Sequence, residues 1–217
     1  MAAITKLIPS AHRQGYLEIE VDGALLGAIP ERLAEERGLA RGQELDEAEL
    51  AELRAAARIS EALTLANRFL GHRPRSSAEV RARLRRERFD PEVIDACLGE
   101  LERHGLLDDR RFAALWVENR VTFSPRSARS LEQELRSKGI DRDVVEETLA
   151  ASDSGGDAEM AVQAGRRRLH SMARLDEETF RRRMGGFLAR RGFNYEAAAA
   201  AIAQLWAERD GNPASGA

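Results

Sequence analysis

Val80-Arg-Ala-Arg-Leu84-Arg-Arg-Glu-Arg-Phe89-Asp90, Leu131-Glu-Gln-Glu-Leu135-Arg-Ser-Lys-Gly-Ile140-Asp141 and Met184-Gly-Gly-Phe-Leu188-Ala-Arg-Arg-Gly-Phe193-Asn194 share one pattern: an apolar residue, Leu four positions on, an apolar residue five further, then Asp or Asn. The closing apolar residues, Phe89, Ile140 and Phe193, lie 51 and 53 residues apart. Self-similarity at so steady a spacing marks one supersecondary unit copied in tandem, each copy burying a face that its neighbours help to cover. Inside a copy, the apolar pair four apart defines one face of a helix, and the Asp or Asn is placed to cap the helix that follows. Arrays of this kind usually present a long surface to a partner and seldom catalyse.

Working outward from these stretches, each copy reads as three helices. In the first copy one helix ends near Phe69, the next covers residues 77–88 behind a Ser76/Glu79 capping box, and the third starts after Asp90 with Pro91 in its first turn and stops at Gly105. In the second copy the helices cover residues 109–121, 127–138 and, from the Asp141 cap, 142–151; in the third they cover 157–173, 176–191 and 194–209. The breaks Pro74-Arg75-Ser76 and Pro125-Arg126-Ser127 are again 51 apart, which fixes the register independently. Gly139 and Gly192 stand where a helix must end and turn within two residues, a left-handed position that Gly occupies cheaply. Arg88 takes that place in the first copy, so its turn is built differently or carries strain on the order of 1 kcal/mol. Ser152-Asp-Ser-Gly-Gly156 is the clearest linker.

The N-terminal part has another period. Tyr16, Glu18 and Glu20 alternate with Leu17, Ile19 and Val21, and Asp22-Gly23 leads into a second apolar run, the signal of a hairpin with a two-residue turn. Ile4, Leu7 and Ile8 suggest a third short strand. Pro30 stops the run, residues 31–37 read as a short helix ended by Gly38, and residues 46–70 as one long helix or two abutting ones. Glu44, Asp46, Glu47, Glu49 and Glu52 crowd the start of that helix, where they suit its dipole. The fold class expected is therefore mainly α: three tandem three-helix-bundle repeats in an elongated curved array, with a small N-terminal cap containing a β-hairpin. The expected division is 1–45 for the cap, 46–107, 108–153 and 154–210 for the long helix and the three repeats, and 211–217 for a disordered tail.

Composition agrees with a helical protein: of 217 residues 43% are hydrophobic, 33% charged and 5% aromatic. A formal net charge of −3 means that no overall polycation is steered to nucleic acid, so any basic surface is local. The single cysteine, Cys97, falls among Val93, Ile94, Leu98 and Leu101 on a helical face and reads as a core thiol. No apolar run has the roughly 18 residues of a membrane span, and the N-terminus lacks the layout of a signal peptide, so a cytoplasmic location is expected. His12, His72, His104 and His170 have no second ligand at metal-binding separation, and surface or capping roles are expected for them. Gly155-Gly156 belongs to the linker and Gly185-Gly186 to a helical pattern, where close packing is the expected reason; neither is followed by the Lys-Ser or Lys-Thr of a phosphate loop. The carboxylates, as at Glu132 and Glu134 beside Arg136, read as solvated helix surface. No catalytic residue, metal site or cofactor is expected.

What remains is the distribution of charge. Between Arg166 and Arg191 there are nine arginines against three carboxylates, Asp176, Glu177 and Glu178, and a second basic run comprises Arg81, Arg83, Arg85, Arg86 and Arg88. Such clusters suit phosphates or an acidic protein groove.

Residues 84–90, the run Gly105-Leu-Leu-Asp-Asp-Arg-Arg-Phe-Ala113 and Lys138-Gly-Ile-Asp141 closely resemble the RecX regulatory proteins of bacteria, and Ile4-Thr-Lys-Leu, Asp22-Gly and Gly42-Gln-Glu-Leu-Asp46 resemble the extension of longer members. The resemblance runs from about Ile4 to Trp206. It implies three-helix bundles that bind the RecA recombinase, chiefly as its filament on single-stranded DNA, and limit its strand exchange and ATP hydrolysis, as a cytoplasmic monomer with no catalytic residues. Lying in the filament groove, such an array would bridge neighbouring subunits and compete with duplex DNA or subunit addition. Arg88 in place of the repeat glycine and the Ala-rich stretch 197–201 depart from the family pattern.

The candidate partner- or DNA-facing residues are Arg81, Arg85, Arg126 and Arg129, on or beside the second helix of the first two repeats, and Arg167, Arg168, Arg182 and Arg183 in the third. Two other readings stand beside this one. A three-helix unit with a tight turn can act as a helix-turn-helix DNA regulator, although arginines suit phosphate better than base edges, and a weak direct DNA contact belongs to either reading. The third reading is a non-catalytic adaptor array for another protein.

Overall fold

The computed structural model describes residues 2–152 and 155–210; Asp153 and Ser154 of the expected linker, and the whole of the expected tail 211–217, lie outside the described residues. The chain divides into two compact units, Met1–Asp108 and Asp109–Ala217.

The first unit opens with strands β1 (Ala2–Pro9), β2 (Tyr16–Val21), β3 (Ala24–Pro30) and β4 (Glu44–Leu45), in the antiparallel order β3-β2-β1-β4. The hairpin lies where the alternation places it. Val21 pairs with Ala24 across Asp22 and Gly23, whose φ angles of 51° and 79° make the two-residue turn that matches strand twist. The stretch read as a short third strand is an eight-residue inner strand, because the two-residue β4 closes its far side. Two residues cannot display an alternation, so β4 leaves no signal in the sequence.

Helix α1 (Glu31–Glu36) follows the sheet, and α2 is one helix, Glu47–Leu70, started by a reciprocal capping box in which Asp46 and Glu49 each accept the other's backbone N–H at 2.8 Å. Its two halves serve two cores. Leu53 and Ala57 pack with Ile4, Ile19, Val21, Ile29 and Leu45 of the sheet, while Ala62, Leu63 and Ala66 join the first three-helix bundle. Arg13 ties the loop after β1 to α2, donating to Ser60 O and Oγ at 2.8 Å and to Thr64 Oγ1 at 3.0 Å, and it lies over the Tyr16 ring.

That bundle is completed by α3 (Ser77–Arg86), which carries the expected Ser76/Glu79 capping box, and α4 (Pro91–Arg103). Asp90 occupies the N-cap position without a side-chain cap bond. Cys97 is buried among apolar residues, and that burial pushes its thiol up to about 11, keeping it protonated and unreactive. Arg88 closes α3 at φ 62°, the left-handed conformation that glycine holds in the other copies, with its side chain exposed and in no ion pair among the described residues. Arg88→Gly is therefore expected to stabilise this unit by about 1 kcal/mol, read as a rise of roughly 4–8 °C in melting temperature; an unchanged or lower midpoint would show that the turn carries no strain.

The second unit holds two more three-helix groups: α5 (Asp109–Phe123), α6 (Ala128–Ser137) and α7 (Arg142–Ala151), then α8 (Gly156–Leu169), α9 (Glu177–Ala189) and α10 (Tyr195–Asp210). A 3₁₀ turn at His170–Met172 ends α8 earlier than the periodicity indicates. Ser127, Asp141, Asp176 and Asn194 cap the helices that follow them. The Thr179 N–H and hydroxyl hold the Asp176 carboxyl below the usual carboxylate range. The Ala-rich start of α10 has a packing reason: Ala198 and Ala201 are buried where α10 lies close on α8, so close that a Cβ at Gly165 would collide with Leu205 Cδ1.

The three copies match residue for residue. Val80, Leu131 and Met184 are at most 2% exposed, Leu84, Leu135 and Leu188 are each 0% exposed, and Phe89, Ile140 and Phe193 are all buried. Each triplet is distributed over three separate cores.

Candidate macromolecule-binding surface

The α3 face is less uniform than its run of arginines suggests. Arg81 pairs with Asp95 of α4 and Arg83 with Glu87, both pairs within reach of solvent, so part of the charge of this run is engaged inside the bundle. Arg85 is exposed with no ion pair among the described residues, as are Arg86 and Arg88 beside it. The helix dipole favours cations in this last turn but neutralises only a fraction of a charge.

In the second unit Glu134 is the centre of a network. Its carboxylate is 2.7 Å from Arg120 Nε and 2.8 Å from Arg126 Nε, and it accepts the Trp116 indole N–H at 2.8 Å. With a side chain only 20% exposed, Glu134 is not the solvated surface group its neighbours in sequence imply, because α5 and the Ser124-Pro125 break bring two guanidinium groups onto it. Arg126 is half-buried beside Glu134, whereas Arg129 is exposed and in no ion pair among the described residues.

The turn between α9 and α10 docks on the start of α6. Ser127 N donates to Arg191 O at 3.2 Å, and Arg191 donates to Pro125 O at 2.9 Å and Ser124 Oγ at 3.1 Å. Arg167 donates to the Thr122 and Phe123 carbonyls at the end of α5. Burial first, and then repulsion from Arg126, Arg168, Arg167 and Arg120, push the Arg191 guanidinium below its ordinary value. Five guanidinium groups thus share a region in which Glu134 is the carboxylate bound to Arg120 and Arg126. Arg191 is one of the nine clustered arginines of the sequence, but nothing there joins Arg120 to it, since the contact spans two repeats.

Alongside, Arg168, Arg182, Arg183 and Arg190 line a cleft of about 290 Å³ together with Met172, Gly186 and Phe187. Arg182 lies 4.0 Å from the exposed Glu178, an ion pair that solvent screens, while Arg183 and Arg190 have no ion pair among the described residues. Of the nine arginines from Arg166 to Arg191, Arg166 pairs with Glu208 and Arg181 with Glu177. The structure therefore gathers Arg167, Arg168, Arg182 and Arg183 on one unit, and keeps Arg85 on the other. Phe123, 67% exposed, meets Arg167 through its backbone carbonyl, so a large exposed apolar residue lies at the end of α5 where Arg167 docks.

The histidines are all exposed, with His104 at the end of α4 bonded to Glu100. Among the described residues no nucleophile is assembled with a base.

Comparison with known proteins gives this surface its context. The models of the first, second and third three-helix domains of RecX match residues 62–101, 108–149 and 156–202. The chain is 40% identical over 143 residues to the regulatory protein RecX of Amycolatopsis mediterranei, covering 66% of this chain and 82% of that one, and 37% identical over 155 residues to that of Mycobacterium avium, covering 70% and 90%. The RecX of Lactobacillus johnsonii is similar over 94% of this chain at 29% identity. A crystal structure of a regulatory protein RecX superposes with a TM-score of 0.70 over 91% of this chain and 97% of the other, at 22% identity, and one of RecX from Lactobacillus salivarius with 0.58 over 69% and 97%, at 21% identity; these show the shared fold. Three matching domains in order, with relatives matched over most of their length, establish that this chain belongs to the RecX family.

Proposed function

We propose that this protein is a non-catalytic regulator that binds the RecA recombinase, chiefly as the filament on single-stranded DNA, and limits its strand exchange and ATP hydrolysis. The observation that carries the reading is the arginine surface of the third repeat, where Arg167, Arg168, Arg183 and Arg190 are in no ion pair among the described residues and Arg182 lies 4.0 Å from the exposed Glu178, in a chain whose formal charge is −3. Such a surface is suited to phosphate or to an acidic groove, and the exposed Phe123 beside it has the character of an aromatic anchor within a charged rim. Family membership supplies the regulatory role. The protein acts as a monomer in the cytoplasm, where the recombinase works, and any contact with free DNA is weak and secondary.

The experiment is a salt series of binding to recombinase filaments, comparing the wild type with Arg182→Gln/Arg183→Gln. The double variant is expected to bind about tenfold more weakly at low salt and to show a flatter dependence of affinity on salt. Equal affinity and equal slope across the series would remove these two residues from the interface.

A further inference from the structure

We propose that the cleft between the end of α8 and one face of α9 is a binding site for adjoining phosphoryl groups, the chemistry carried by a nucleoside triphosphate or by the backbone of a nucleic acid strand. The inference goes beyond the regulatory reading and does not need the recombinase.

Four guanidinium groups converge there from two helices. Arg183 on α9 and Arg190, which caps the C-terminus of that helix, are seven residues or about two helical turns apart, with Phe187 between them. Arg168 enters from α8 and is held at the wall by stacking on the Phe187 ring, its guanidinium 5.2 Å from the ring centre, while Arg191 stacks on the same ring at 4.6 Å. Guanidinium groups present paired donors that match phosphate oxygens, and one fixed by an aromatic face loses little freedom on binding. At about 290 Å³ the cleft suits one or two phosphoryl groups better than a whole nucleotide.

Close packing was the expected reason for Gly185-Gly186, and the structure corrects this. A Cβ at Gly185 would meet Ile202 Cδ1 at an ordinary 3.7 Å, and one at Gly186 would meet only the Arg190 guanidinium, at 3.5 Å. Helix packing therefore demands glycine at neither position, although glycine inside a helix is unfavourable. Gly186 lines the arginine cleft, and a methyl added there would stand in it at ordinary contact with the Arg190 guanidinium; nothing in the structure explains Gly185.

The test uses the full chain alone, so its outcome is separate from that of the filament experiment. Inorganic tripolyphosphate is titrated by calorimetry, and a fluorescent 18-residue oligothymidylate by anisotropy, into the wild type, Gly186→Ala, Arg183→Gln/Arg190→Gln and the control Gly185→Ala. Tripolyphosphate is expected to bind saturably near one per chain. The double arginine variant should weaken it tenfold or more, Gly186→Ala should weaken it by a smaller factor, and Gly185→Ala should leave it unchanged, while both alanine variants melt at or above the wild-type temperature. If only the oligothymidylate responds to these substitutions, the phosphates come from a nucleic acid strand and the site stands. Affinities for both probes that are indifferent to Gly186, Arg183 and Arg190 would overturn it.

Discussion

Leu135→Ala is expected to lower the stability of the second unit by about 3 kcal/mol, the usual cost of a buried Leu whose cavity does not collapse, and Leu84→Ala and Leu188→Ala should each cost a similar amount in their own bundles. All three leucines are fully buried and occupy the same position of the repeat, inside different cores. In thermal melts of the full chain the affected unit should lose roughly 10–20 °C per substitution. Leu135 and Leu188 belong to different clusters that share Val121, so the double variant should come close to the sum of the single losses, with any departure reporting coupling through that residue. A loss below about 1 kcal/mol at any one position would mean that this copy does not use its leucine as the others do.

Gly192→Ala is expected to cost a comparable amount, about 3 kcal/mol, from two sources: a left-handed conformation imposed on a residue with a side chain, and overpacking. Gly192 has φ 87°, and a Cβ there would overlap Ser130 Oγ while lying 2.7 Å from Ser127 Oγ and 3.1 Å from Ser130 Cβ. Ser127 cannot yield freely, since its hydroxyl caps α6. Gly105 is the control, with φ 65° and nothing within 4 Å of an added Cβ, so Gly105→Ala should cost only the conformational part, about 1 kcal/mol. Denaturant titrations that place the two variants at equal cost would contradict the close docking of the α9–α10 turn on α6.

These two positions also show how much of the molecule is legible in the sequence. The leucines are visible because a helix repeats its faces every few residues and the module repeats every 51 to 53, so burial is written into spacing. Caps and turns are visible for the same reason: Ser76, Asp141 and Asp22-Gly23 act on groups two or three residues away. Gly192 announces a left-handed turn in the sequence but not the serines lying 62 and 65 residues earlier against which it packs. The functional surface suffers most from this. Arg81 and Arg85 look equivalent along α3, yet Asp95 on the next helix takes one and leaves the other. Glu134 looks solvated beside Glu132 and Arg136 until Arg120 and Arg126 close over it. The cleft joins residues of two helices, and local charge density in the sequence locates its neighbourhood without its lining.

The most direct test of a RecA-directed regulator is single-stranded-DNA-dependent ATP hydrolysis by the recombinase of the same cell, with this protein titrated from far below one per recombinase subunit to saturation. Inhibition complete at a small molar fraction would place its action at filament ends, and inhibition that needs near saturation would place it along the groove. In either case the rate is expected to fall with dose, and Arg182→Gln/Arg183→Gln to need about tenfold more protein for the same effect. Hydrolysis that continues at its full rate with the wild-type protein at saturation would contradict the proposed function.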